Sequence, residues 1–134
     1  MNHKGHREHE EISIDNLSHS VIGCAIEVHK ALGPGLLEST YQNCLSHELS
    51  LQGIQHSCEV PLSVNYRGME IECGYRVDIL VENKLILELK SIKEFNPIYE
   101  AQLLTYLKLS GIKTGLLLNF NVIKLKEGIK RFVL

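Results

Sequence analysis

The 134-residue sequence lacks any long apolar run. Leu85-Ile86-Leu87 and Leu116-Leu117-Leu118 fall far below the roughly 18 apolar residues of a bilayer-spanning helix, which argues against a membrane protein. The first ten residues, MNHKGHREHE, contain nothing that could serve as the apolar region of a secretory signal, so a cytoplasmic location is expected. Cysteine is sparse and scattered. Cys24, Cys44, Cys58 and Cys73 form no CxxC pair, which disfavours a zinc ribbon or disulfide framework and leaves four thiols in a reducing compartment. There is no excess of positive charge either. A net charge of −2 excludes a protein that coats nucleic acid by bulk electrostatics. Internal repeats are absent, and the length suits one domain.

What charge there is divides unevenly. Residues 1–83 hold five Lys/Arg and twelve acids, whereas residues 84–134 hold nine Lys/Arg and four acids. If Lys124, Lys126, Lys130 and Arg131 share a face, they could hold a phosphate backbone. A solvated edge strand guarded by lysines accounts for them equally well.

Residues 1–15 are polar and aperiodic and read as a disordered tail. Its His3, His6 and His9 could bind stray metal but are better taken as surface. Residues 16–134 read as a single domain. Val21, Ala25, Val28 and Leu32 recur at helical spacing, with Ser18 available as a cap and Gly33-Pro34-Gly35 as a stop. The glycine pair has no preceding strand and no following Lys-Ser/Thr, so it is a turn and not a phosphate cradle. A second helix runs from after Gly35 to about Gln52. Strand patterns cover 59–66, 70–81 and 85–92, joined at Arg67-Gly68 and Glu82-Asn83-Lys84, and predict an antiparallel meander. Asn96-Pro97 opens a third helix that runs through Leu109 and stops at Gly111. Residues 113–120 and 131–134 read as two further strands. The predicted order is ααβββαββ, an α/β (α+β) domain.

The informative residues are polar groups in segments that should be buried. Alternation puts Val77, Ile79 and Val81 on one face and Arg76, Asp78 and Leu80 on the other. Leu85, Leu87 and Leu89 likewise oppose Ile86, Glu88 and Lys90. Pairing Val81 with Leu85 across a three-residue turn makes paired positions sum to 166, which sets Asp78 opposite Glu88 and Arg76 opposite Lys90. Two facing carboxylates repel, and burial adds to the penalty, so a cation must compensate. Lys90 could do so within a buried ion-pair cluster. A hard divalent cation such as Mg²⁺ fits better. Glu38 lies on the stripe Glu38, Tyr41, Leu45, Leu49 and is expected to point inward to the same place. Gln102 and Tyr106 share a helix face with Tyr99 and Leu109 and by composition alone read as core-edge residues.

Taken together, Asp78 followed after nine residues by Glu88-Leu89-Lys90 resembles the signature of the PD-(D/E)XK nuclease superfamily. Within it, Gly35-Leu36-Leu37-Glu38-Ser39-Thr40-Tyr41 is similar to the motif that names the GxxExxY family, and the similarity extends from about Asn16 to the C-terminus. Val77 stands where the superfamily's name has proline, a position that does no chemistry. The resemblance implies a restriction-endonuclease-like core with a mixed central sheet flanked by helices. It also implies phosphodiester hydrolysis in DNA or RNA, with Asp78, Glu88, Glu38 and the Leu89 carbonyl around Mg²⁺ or Mn²⁺. Lys90 would orient the attacking water or stabilise the transition state, and Gln102 and Tyr106 would support the phosphate or metal shell. A homodimer would let a small single-site enzyme cut both strands. A different reading keeps the fold as an inactive module that binds nucleic acid or a protein partner.

Overall fold

A computed structural model describes residues 13–134. His3, His6 and His9 of the expected polar tail lie outside the described residues. Helix α1 (Ile14–Leu32) starts two residues ahead of Asn16, because the Ser13 hydroxyl accepts the Asn16 N–H at 3.0 Å and caps it. Ser18, the expected cap, is instead buried one turn inside the helix. Helix α2 (Glu38–Leu51) follows the Gly-Pro-Gly turn. Strands β1 (His56–Tyr66), β2 (Met69–Val81) and β3 (Leu85–Lys90) form the meander. Helix α3 (Pro97–Ser110) carries the predicted punctuation: the Asn96 side chain accepts from the Ile98 N–H, and Gly111 closes the helix in the left-handed conformation. Strand β4 (Thr114–Asn119), a short 3₁₀ turn (Leu125–Gly128) and strand β5 (Ile129–Val133) complete the order ααβββαββ.

The five strands lie in the order β1-β2-β3-β4-β5. Only β3 and β4 are parallel, with α3 as their crossover, so the sheet is mixed. Helices α1 and α2 cover one face, where Val21, Ala25, Tyr41, Leu45 and Leu49 pack on Leu85, Leu87, Leu89, Leu116, Leu118 and Phe120. Helix α3 covers the other through Leu103, Tyr106 and Leu107 against Ile86 and Leu117. Both faces of β3 and β4 are covered, which is why these strands read as near-continuous leucine runs and why a charged residue within them stands out.

The β2–β3 register is the expected one, with Val81↔Leu85, Leu80↔Ile86 and Ile79↔Leu87. The regular ladder stops there, one residue short of the Asp78–Glu88 pair. Arg76 does not face Lys90 in it; its register partner is Pro61 of β1, and its side chain is exposed. Nor do Val77, Ile79 and Val81 share a face. Ile79 and Val81 join the α1/α2 layer, whereas Val77 packs in the α3 layer. The β1–β2 pairing explains this: it runs to Cys58↔Ile79 and resumes at Val60↔Val77, leaving Glu59 and Asp78 out of the ladder. Glu59 is in the left-handed region at φ 55°. Strand β2 turns over at this irregularity, and Asp78 occupies the turnover point.

The C-terminal basic residues do not form one face. Strand β5 begins at Ile129 and not at Arg131, so Lys130 and Arg131 are neighbours within a strand and point to opposite sides of the sheet. Lys130 bonds Glu100 of α3 at 2.6 Å and lies over the Phe95 ring, while Arg131 bonds Asp15 of α1 at 2.7 Å. Lys124 and Lys126, at the 3₁₀ turn, are exposed. Both strand residues are engaged at the sheet's edge, as in the edge-strand reading.

Candidate active site

Glu88 sits in central β3 and is 5% exposed. Its Oε1 has no hydrogen-bond partner. Its Oε2 is 4.0 Å from Lys90 Nζ, the outer limit of an ion pair. The lysine leans toward α3, where its ammonium lies 4.5 Å from the centre of the Tyr99 ring. Asp78 reaches across from β2, and its Oδ2 accepts the Leu89 N–H at 2.8 Å. Extended backbone sends the N–H and C=O of one residue to the same edge, so the Leu89 carbonyl also faces the Asp78 side. The Lys90 carbonyl points the other way and accepts from the Phe120 N–H of the neighbouring segment at 2.9 Å.

Electrostatics sharpen this geometry. Burial, and then the neighbouring Asp78 carboxylate, push Glu88 up to about 8, against the pull of Lys90 and of a backbone hydrogen bond from Asp78. Asp78 is also raised, chiefly by burial, although the Leu89 N–H and Lys90 pull it down. In the metal-free protein Glu88 therefore keeps its proton at neutral pH. Two carboxylates that are hard to ionise together, one with an orphaned buried oxygen, make a donor set that a divalent cation would satisfy. Mg²⁺ is commonly held by one or two carboxylates with water completing its shell. Among the described residues no three His, Cys, Asp or Glu side chains are grouped closely enough to hold a metal by themselves. The oxygen groups that converge here are the Asp78 and Glu88 carboxyls, with the Leu89 carbonyl on the Asp78 side.

Glu38 does not point inward on a buried stripe. It is the first residue of α2 and is exposed, whereas Tyr41, Leu45 and Leu49 of that stripe are fully buried. It nevertheless reaches the site's margin. Its Oε2 accepts the Ser91 N–H at 3.2 Å, and its charge helps raise both Asp78 and Glu88. The Ser91 hydroxyl donates to the Leu36 carbonyl at 2.7 Å. Tyr41 secures the same loop: its hydroxyl donates to the Gly33 carbonyl at 2.5 Å and accepts from the Leu36 N–H at 3.1 Å, while its ring stacks on Phe120 at 4.4 Å. Gly35, at φ 96°, makes the turn that lets residues 33–38 lie against Ser91.

On the α3 side, Gln102 Nε2 donates to the Tyr106 hydroxyl at 3.0 Å, which leaves the phenolic proton available to another acceptor. Burial and then Glu88 raise the Tyr106 hydroxyl, and it stays protonated at neutral pH. Of the expected residues, the structure brings together Asp78, Glu88, Leu89, Lys90, Gln102 and Tyr106. It leaves Glu38 at the rim and separates Lys130 from Arg131.

Two residues near the site escaped sequence reasoning. Glu59, at the break opposite Asp78, raises the Asp78 carboxyl and accepts from Gln42 Nε2 at 2.9 Å. On an exposed strand it gives no sequence signal. Asn119 is 2% exposed; its Oδ1 accepts from the Ile92 N–H and its Nδ2 donates to the Ile92 carbonyl, which fixes the chain just after Lys90. A polar residue ending a Leu-Leu-Leu run was the available clue.

The family model of the PD-(D/E)XK nuclease superfamily matches residues 15–132. The chain belongs to this superfamily. Its mixed five-stranded sheet between α1/α2 and α3 is consistent with the superfamily's restriction-endonuclease-like fold. PD-(D/E)XK proteins are generally nucleases and typically use divalent metals, in accord with the paired carboxylates. Searches of curated proteins and of solved structures return no match.

Proposed function

We propose that this PD-(D/E)XK domain, spanning residues 16–134, hydrolyses phosphodiester bonds in nucleic acid, most simply DNA, with Mg²⁺ or Mn²⁺. The observation that carries the reading is Glu88: a buried carboxylic acid with an orphaned oxygen, raised to about 8, beside a second carboxylate and a lysine. A structural ion-pair cluster would satisfy Glu88 through Lys90. At 4.0 Å, with Oε1 unpartnered, that compensation is poor.

Asp78, Glu88 and the Leu89 carbonyl would hold the cation, which when bound lowers the pKa of a coordinated water and offsets charge on the phosphate. Asp78 keeps its place through the Leu89 N–H. Glu88 must give up its proton before it can ligate, so it couples site assembly to pH. Lys90, held against Tyr99, supplies a positive charge next to the reacting phosphate and positions the attacking water. Tyr106, with its proton free, is placed to donate to a phosphate oxygen, and Gln102 orients it. Glu38 would act at the margin, through water or on a second ion. The Gly35 to Tyr41 segment supports assignment to the GxxExxY group within the superfamily, and cutting of both strands of a duplex would use a second copy of the chain.

The test is cleavage of single- and double-stranded DNA and RNA with Mg²⁺ or Mn²⁺, beside the Asp78→Asn variant. Metal-dependent cleavage by wild type and none by the variant is expected. An inert wild type whose melting temperature ignores both metals would refute the reading.

A further inference from the structure

Beside the paired carboxylates, on the α3 side, lies an open cleft of about 400 Å³ lined by Tyr75, Ile98, Tyr99, Gln102, Thr105 and Tyr106. With Ala101, seven residues line it; three are tyrosines, and each is tied to the site or to the others. Tyr99 lies under the Lys90 ammonium at 4.5 Å. Tyr106 is hydrogen-bonded to Gln102 and lies within the field of Glu88. Tyr75 approaches Tyr106 with ring centres 6.1 Å apart and planes inclined at 52°.

Tyr75 owes its direction to an irregularity. The β1–β2 register shifts between Leu62↔Tyr75 and Ser63↔Glu72, so Cys73 and Gly74 are extra residues on β2, and Gly74 takes φ 77°. Such a bulge re-aims the next side chain. Tyr75 keeps 40% of its surface exposed and Ile98 61%, so both present apolar area to the cleft without being needed by the core.

We propose that this cleft is a stacking site for one unpaired nucleobase adjacent to the phosphate that a cation at Asp78 and Glu88 would hold. The inference rests on the nuclease reading and narrows its substrate to single-stranded or unpaired nucleic acid. The chemistry selects the occupant. Aromatic rings of this kind hold bases of any sequence through their faces, and a base paired within a duplex cannot enter a cleft walled by tyrosines on two elements. The Lys90 ammonium at its edge would meet the phosphate joined to that base.

The chain has no tryptophan, so Tyr75→Trp introduces a single reporter at the cleft. With Ca²⁺ in place of Mg²⁺, an adenine octamer should quench its fluorescence. An abasic octamer with the same phosphates, or a blunt duplex, should not. Tyr75→Leu should weaken octamer binding by about 5- to 150-fold, leave abasic binding unchanged, and be rescued in Tyr75→Phe. Equal binding of the abasic and adenine octamers, equal quenching by the duplex, or an unaltered Tyr75→Leu would overturn the proposal. Cleavage without base discrimination removes the stacking site alone, whereas base-dependent binding by a wild type that cuts nothing supports the site and removes the nuclease reading.

Discussion

Replacing Glu88 with glutamine in the metal-free protein should stabilise it, increasingly so as pH rises. Glu88 titrates at 4.5 in an unfolded chain and at about 8 in the fold, so between those values the folded state binds the extra proton. Stability contributed by that proton is fully present below about pH 4.5 and is lost as pH rises through about 8. Linkage over this window gives a wild-type loss of about 3–4 kcal/mol between pH 5 and pH 8 relative to Glu88→Gln, which cannot ionise. Urea titrations of both proteins in EDTA, at half-unit pH steps, measure the difference directly. Saturating Mg²⁺ should flatten the wild-type curve, because the cation favours the ionised carboxylate, and should leave the variant unchanged. A wild-type minus variant difference that stays flat from pH 5 to 8 in EDTA would show that Glu88 is paired and ordinary, and would remove the support it gives to a metal site.

Lys90→Ala should abolish cleavage while calorimetric Mg²⁺ affinity stays near wild type, since a protonated lysine cannot ligate a hard cation; loss of metal binding in this variant would contradict its assigned role. Asp78→Asn should lose metal binding and keep the Leu89 N–H bond, whereas Asp78→Ala should be less stable than Asp78→Asn by about 1–3 kcal/mol in EDTA because that N–H is orphaned. Tyr41→Phe keeps the stack on Phe120 but forfeits two hydrogen bonds, so denaturant melts should show a loss of about 1–3 kcal/mol; an unchanged midpoint would mean the loop does not depend on the hydroxyl. A Cβ at Gly128 would meet the Asn119 carbonyl oxygen at 2.2 Å, so Gly128→Ala should lower the melting temperature more than any surface alanine substitution.

Glu88 and Lys90 were legible because β3 is covered on both faces, where a charged residue interrupts an otherwise apolar run. The three-residue turn fixed the β2–β3 register for the same local reason, and the ladder follows it from Val81 to Ile79. What local pattern missed depends on neighbours. The turnover of β2 at Asp78 requires Glu59, nineteen positions away on another strand, to leave the ladder at φ 55°. A helical wheel correctly grouped Tyr41, Leu45 and Leu49, but cannot say where the helix ends relative to the sheet, so it drew Glu38 inside. The basic cluster failed on a boundary. Starting the last strand at 131 kept Lys130 outside the alternation that sends it to the opposite side from Arg131.

Glu88 and Lys90, the charged residues of the covered strand β3, are the ones the superfamily reading uses, and the surrounding fold holds the chain around them by backbone and not by their own ion pairs. Ser91 is held from the α2 side by Glu38 and the Leu36 carbonyl, and Ile92 is held from the β4 side by both polar atoms of Asn119. The Lys90 carbonyl is fixed by the Phe120 N–H, and Phe120 in turn stacks on Tyr41. Lys90 therefore has its main chain secured on three counts while its ammonium keeps only a 4.0 Å contact with Glu88 and a ring face beneath it. A weakly committed ammonium on a rigid backbone can transfer its interaction to an incoming phosphate at little energetic cost, which is what stabilisation of a transition state requires of a charge already in place.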